Sequence, residues 1–218
     1  MDCRRLKCPG VLKHQIDIAV YYRNTTSDEL KETMYHELTH AAQYQALGNS
    51  WYGPFADAVL GSLINTFLFD SEFIPYGRST DTDADIIALG ESWPYYMGRY
   101  LADKQYGLSS SPASDQFTYS NNTPINGLSS HINLLENWDP IHPTDPFKWI
   151  SQGLFHDLKD SRNEDSPVVD RVSGYTNQQM FNAFQSDIYT LQDYRIKLIQ
   201  QNNSQTSEII NLFNQYGY

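Results

Sequence analysis

The sequence predicts an α+β chain that is predominantly helical, on three observations. Residues 16–22 alternate, with Ile16, Ile18, Val20 and Tyr22 on one face, which is the pattern of a half-buried strand. Most other patterned segments carry helical spacing instead. Residues 36–40 read His-Glu-Leu-Thr-His, and that spacing places two imidazoles on one face of a helix. At 218 residues the chain can bury one substantial core, as one domain or a domain with two lobes. The composition turns rich in Ser, Asn, Pro and Gly after residue 106, so the predicted lobes are 1–106 and a mainly helical 107–218.

Residues 1–15 are expected to be loosely structured. After the 16–22 strand, Asn24, Thr25 and Thr26 break the alternation. Thr26 with Glu29 three residues on makes a capping box, so a helix should begin near Ser27. Leu30, Met34, Leu38 and Ala41 recur at helical spacing, and Gly48 is the natural stop. The motif thus sits mid-helix. A turn-rich link over 49–54 leads to a helix at 55–69, and a break over 76–80 leads to a helix at 81–105. The acidic start of that helix, Asp81, Asp83 and Asp85, suits the dipole. Residues 107–144 read as a long surface loop, 145–159 as a helix and 163–174 as irregular chain. Two helices, 176–201 and 205–215, close the sequence.

On a helix, residues four apart lie about 5–6 Å from one another, so His36 and His40 can address one ion. Glu37 lies one residue round, beside any water on that ion, as a general base requires. Zinc is the expected cofactor; its catalytic sites take three protein ligands and leave one position open. A third ligand further along the same helix fails, because Gln43 and Ala46 stand where Gly and His would be needed. Glu91 is the favoured third ligand: it interrupts an apolar, small-residue stripe of Ala84, Ile87, Ala88, Tyr95 and Gly98, and a carboxylate there is costly without a cation. Two other readings stay open. Glu91 can be a buried acid paired with Arg99 or Lys104, and Asp85 can be the ligand in its place.

His36-Glu-Leu-Thr-His40 together with Gly90-Glu91-Ser92-Trp93-Pro94-Tyr95 resembles the gluzincin branch of the zincin metallopeptidases, over about residues 16–105. It is also similar to uncharacterised zinc-binding proteins of gut bacteria, in which a strand, a capped motif helix and a later Glu-Ser-Trp segment follow in order. The resemblance implies zinc on His36, His40 and Glu91, with Glu37 as the catalytic base. It also implies a zincin-like lobe over 1–106, whose sheet is small or truncated because only one strand is visible. Two departures stand out. Pro94 should kink its helix, and Tyr95 occupies the place where the thermolysin-type pattern has an Asp orienting a histidine, so the acceptor for that imidazole must come from elsewhere.

The implied activity is zinc-dependent hydrolysis of peptide bonds in peptide or protein substrates, by a zinc-bound water that Glu37 activates. The oxyanion needs a further donor, and His131, His142, His156, Tyr95, Tyr96 and Tyr175 are the candidates. Trp93, Trp138 and Trp149 are expected to pack in the core or an interface. A net charge of −11, with no basic patch, excludes nucleic acid as a partner. No segment is apolar enough to span a membrane. The polar, Tyr-rich and Lys-poor composition suggests an exported protein (periplasmic, cell-surface or extracellular). Residues 1–10 have no apolar core, so its presequence would be absent from this chain. Cys3 and Cys8 either close a small loop or remain free. Two rival functions are a non-catalytic surface or binding protein with a structural or vestigial zinc site, and a helical interaction domain carrying the motif by coincidence.

Overall fold

The computed structural model describes residues 27–69, 74, 76–106, 135, 149–161, 165–202 and 204–218. Their helices are α1 (Ser27–Leu47), α2 (Asn49–Phe69), α3 (Ala84–Tyr106), α4 (Leu154–Asp157), α5 (Asn177–Asn182), α6 (Leu191–Gln201) and α7 (Thr206–Gln215). Helix makes up 67% of the described residues and none of them forms a strand or sheet. That overturns the α+β, zincin-like expectation. The expectation rested on the alternation at 16–22, which lies outside the described residues with the Thr26 cap, and on the resemblance. Among the described residues the core is built by helix packing on helix instead.

The reason is legible in α3. From Ile86 to Pro94 every residue is buried, apolar and polar alike, and a helix covered on all sides belongs at the centre of a core. It packs most extensively on α1, and also meets α2, α4 and α6. One continuous hydrophobic cluster draws on both sides of residue 107, including Trp51, Phe55, Trp93, Tyr96, Phe155, Phe184, Tyr194 and Phe213. Trp93 is therefore core, as expected, and Trp149 is partly buried against the cluster. Among the described residues no helix is long and apolar enough to cross a membrane.

Several predicted boundaries move. Gly48, at φ 76°, is a one-residue stop, and α2 starts at once rather than at 55. The Tyr52 N–H reaches back to the Gly48 carbonyl (3.1 Å), and Trp51, Phe55 and Ala58 bury on one face. That burial outweighs the missing donor of Pro54, which lies on the exposed side. α3 likewise runs unbroken through Pro94. The helix expected at 145–159 shrinks, within the described residues, to Leu154–Asp157. The one expected at 176–201 is two, because Thr190 forms a second capping box with Asp193 in addition to the Thr176–Gln179 box. The gap between them carries the Ile188 carbonyl that accepts from the Trp51 indole N–H at 2.5 Å.

α1 and α3 run antiparallel in a fixed register. Glu32 faces Arg99, His36 faces Tyr95 and His40 faces Glu91, each pair one turn further along α1 and one turn back along α3. Gly98 permits this approach: a Cβ there would lie 2.9 Å from the Glu32 carbonyl oxygen and 3.3 Å from the His36 Cβ. Gly98→Ala is therefore expected to destabilise the protein by about 1–3 kcal/mol. Gly61→Ala, where a Cβ meets nothing within 4 Å, should stabilise it by about 0.5–1 kcal/mol. Urea melts of both variants check this pair; the same sign for both would deny the tight α1–α3 seam.

Candidate metal centre

Helical spacing on α1 and the register with α3 bring three side chains to one point. His36 Nε2 and His40 Nε2 are 3.1 Å apart, and each is 3.3 Å from Glu91 Oε2. Among the described residues this is the group of three or more His, Cys, Asp or Glu side chains whose donor atoms converge closely enough to share a metal ion. All three residues are buried, at 8%, 9% and 4% exposure. Tetrahedral zinc, with bonds of about 2.0–2.1 Å, needs donors about 3.3–3.4 Å apart, close to these three edges. The chemistry of the set also fits. Three potential ligand atoms face one another inside the protein; the two imidazole nitrogens lie at hydrogen-bonding distance from each other, and Glu91 Oε2 makes no well-formed hydrogen bond. Protons alone satisfy such a cluster poorly, whereas one divalent cation satisfies all three.

The rival partners of Glu91 are accounted for. Arg99 pairs with Glu32 at 3.4 Å rather than with Glu91, Lys104 is exposed in the last turn of α3, and Asp85 is exposed at its start. Asp81 accepts from the Arg78 backbone N–H in the preceding turn. Glu37 is half-buried one residue beyond His36, and its charge acts on His40, Tyr52 and Tyr76.

Aromatic rings wall the site. Tyr95 meets the His36 ring edge-on at 4.5 Å, and Phe55 and Tyr52 lie 5.7 and 6.4 Å from the His40 ring. The Tyr95 hydroxyl donates to the Tyr76 hydroxyl at 3.2 Å. Burial raises the Tyr95 phenol to about 12 and raises those of Tyr52 and Tyr76 further, with the Glu91 charge adding to each. All three therefore stay protonated donors near neutral pH. Of the expected oxyanion donors that fall among the described residues, Tyr95 is the one found at the site. Tyr96 donates to Asn177, Tyr175 donates to the Asn202 carbonyl, and His156 is buried on α4. His131 and His142 lie outside the described residues. Sequence reasoning missed Tyr52, Tyr76 and Phe55; Tyr76 and the ligands are joined only by long-range packing, which no local spacing announces.

The ion-pair chemistry has a sign that can be tested. Burial is the largest influence on both His40 and Glu91 and opposes charge on each, but their mutual attraction and hydrogen bonding outweigh it. His40 is held above its ordinary 6.5, and Glu91 falls from 4.5 to about 2. The Glu91 contribution to metal-free stability is present above pH 4.5 and fades as pH falls towards 2. That of His40 is present below pH 6.5 and fades as pH rises through its raised value. Both act between about pH 4.5 and 6.5. Metal binding instead requires unprotonated imidazoles. The rise in Tm on adding zinc is therefore expected to be small at about pH 5 and to grow by about pH 8. Equal zinc-induced shifts at the two pH values would contradict this site.

No protein-family model matches the chain, and neither the curated proteins nor the solved structures contain a match to it.

Proposed function

We propose that the protein is a zinc-dependent metallopeptidase that hydrolyses peptide bonds with Glu37 as general base. The observation that supports this most is the buried Nε2, Nε2, Oε2 triangle with edges of 3.1 and 3.3 Å, the donor set of gluzincins carried here on a helical scaffold. Bound there, zinc would supply Lewis acidity towards a carbonyl oxygen and acidify water. His36, His40 and Glu91 would hold it, and the burial of Glu91 would keep bulk water from competing for the carboxylate. Glu37 takes the proton from the attacking water and delivers it to the leaving amine. Tyr95, protonated and against the His36 ring, and Tyr76, hydrogen-bonded to it, are hydroxyls available to steady the oxyanion.

A second reading has its own support. The ligands are almost enclosed, and the described residues include no sheet edge on which an extended peptide could pair. Those features favour a non-catalytic binding protein with a structural zinc. Metal analysis after zinc-replete purification and turnover of a mixed peptide library separate the possibilities. One equivalent of zinc with turnover that depends on Glu37 supports the peptidase. One equivalent with no turnover leaves the structural site. Iron in place of zinc, which the same donors can hold, overturns the zinc assignment.

A further inference from the structure

Each histidine has a second ring nitrogen, and in both cases Nδ1 is buried and makes no hydrogen bond of good geometry. A metal-bound imidazole ordinarily donates its other N–H to an acceptor that fixes the ring and raises its basicity. Tyr95 stands where the thermolysin-type pattern has its orienting acid, and it presents its ring to His36.

The residue one turn after His40 on the same face of α1 is Gln43, which is 0% exposed. Its carboxamide lies within reach of the His40 ring and supports the ring's charged form. Yet neither Gln43 Oε1 nor Nε2 forms a well-aligned hydrogen bond with any group. A fully buried carboxamide left so has lost its hydration with nothing in return, which is hard to account for in a residue that only packs. The α1–α3 register also puts Ile87 and Ala88 opposite the turn that carries Gln43, and those side chains offer it no partner. His40 is thus a polar group within reach of Gln43, and Gln43 of the free nitrogen of His40.

The geometry points to Gln43 as the positioning residue of the metal centre: its Oε1 accepts from His40 Nδ1–H once His40 Nε2 is committed to the ion. This rests on the metal-site reading above. It assigns to a neutral amide, from the ligand's own helix, the task that a carboxylate on a later helix would otherwise perform. A small side-chain rotation aligns the two orphaned groups, satisfies both and selects the tautomer that leaves Nε2 free for the metal.

Zinc affinity is to be measured by competition with a chromophoric chelator for the wild type, Gln43→Met and Gln43→Glu. Far-UV circular dichroism and the Tm of each metal-free protein control for folding. Gln43→Met, which keeps volume and removes the acceptor, is expected to bind zinc roughly 10- to 100-fold more weakly. Gln43→Glu should match or exceed the wild type. In zinc-loaded protein with ¹⁵N-labelled histidine, the His40 Nδ1–H proton should exchange slowly in the wild type and Gln43→Glu, and be lost to rapid exchange in Gln43→Met. If the wild type binds zinc and folded Gln43→Met binds it equally, the positioning role is overturned and the metal site stands. A folded Gln43→Glu as weak as Gln43→Met also overturns it. Absence of zinc binding by the wild type overturns the metal site itself. Should Gln43→Met not fold, the wild-type spectrum decides alone: a rapidly exchanging Nδ1–H refutes the proposal and a protected one upholds it.

Discussion

Glu37→Gln is expected to lower kcat/KM for peptide hydrolysis by about 10²- to 10⁴-fold, the usual worth of a positioned general base, while zinc content stays at one equivalent. The two readouts separate because Glu37 is not among the converging donors; His36, His40 and Glu91 are. It lies a residue round the helix from His36, half-buried, with its charge acting on His40, Tyr52 and Tyr76. Glutamine preserves its length and one acceptor oxygen but cannot take a proton. A structural contribution from the side chain should therefore survive the substitution, and proton transfer should not. Wild-type turnover in Glu37→Gln would remove the peptidase reading and leave a zinc-binding protein. Loss of zinc along with turnover would instead mean that Glu37 supports the ligand geometry.

How much of the site is legible in the sequence depends on the range of the interactions that build it. His36 and His40 are legible because one helix positions both, and helical spacing is local. Glu91 is legible for a different reason: a carboxylate within a stripe of Ala84, Ile87, Ala88 and Gly98 must be paired or bound wherever that stripe packs. Spacing does not supply the register between α1 and α3, nor with it the contact of Tyr95 with His36 and the Tyr95–Tyr76 hydrogen bond. Gln43 does carry a local signal. It is a polar residue on the ligand-bearing face of α1, at the position where a different ligand pattern would have glycine.

The fold is less legible, for physical reasons that differ by element. Pro54 and the polar residues around it imitate a loop, yet Trp51 and Phe55 gain more from burial on α2 than the proline forfeits in one backbone bond. Over 176–201 the apolar spacing continues through a break that two Thr-based capping boxes define. There the cap residues, not the periodicity, carry the information. The expected sheet rests on a single alternating stretch and a resemblance whose motifs lie on helices. Motifs of that kind specify a coordination sphere and leave the scaffold open.

Glu91→Gln is expected to weaken zinc binding by on the order of 10³-fold or more. Binding of zinc by a protein site is worth about 10–16 kcal/mol at neutral pH, so one anionic ligand of three accounts for several kcal/mol, and each step of about 1.4 kcal/mol is tenfold. The amide keeps the shape of the carboxyl group but loses its charge and most of its affinity for a cation. The same change should also reveal itself without metal. Breaking a buried ion pair costs about 3–5 kcal/mol, so metal-free Glu91→Gln should lose stability chiefly between pH 4.5 and 6.5, where Glu91 and His40 are both charged in the wild type. Its deficit should shrink as pH rises through the raised pKa of His40. Asp85→Asn is the matched control, since Asp85 is an exposed acid on the same helix and is the other carboxylate the sequence allows; it should leave zinc affinity unchanged. Urea melts across that pH range and chelator competition near neutral pH measure the two effects. Wild-type zinc affinity in Glu91→Gln, or a loss in Asp85→Asn, would remove Glu91 from the coordination sphere and with it the argument that α1 and α3 are packed together around an ion.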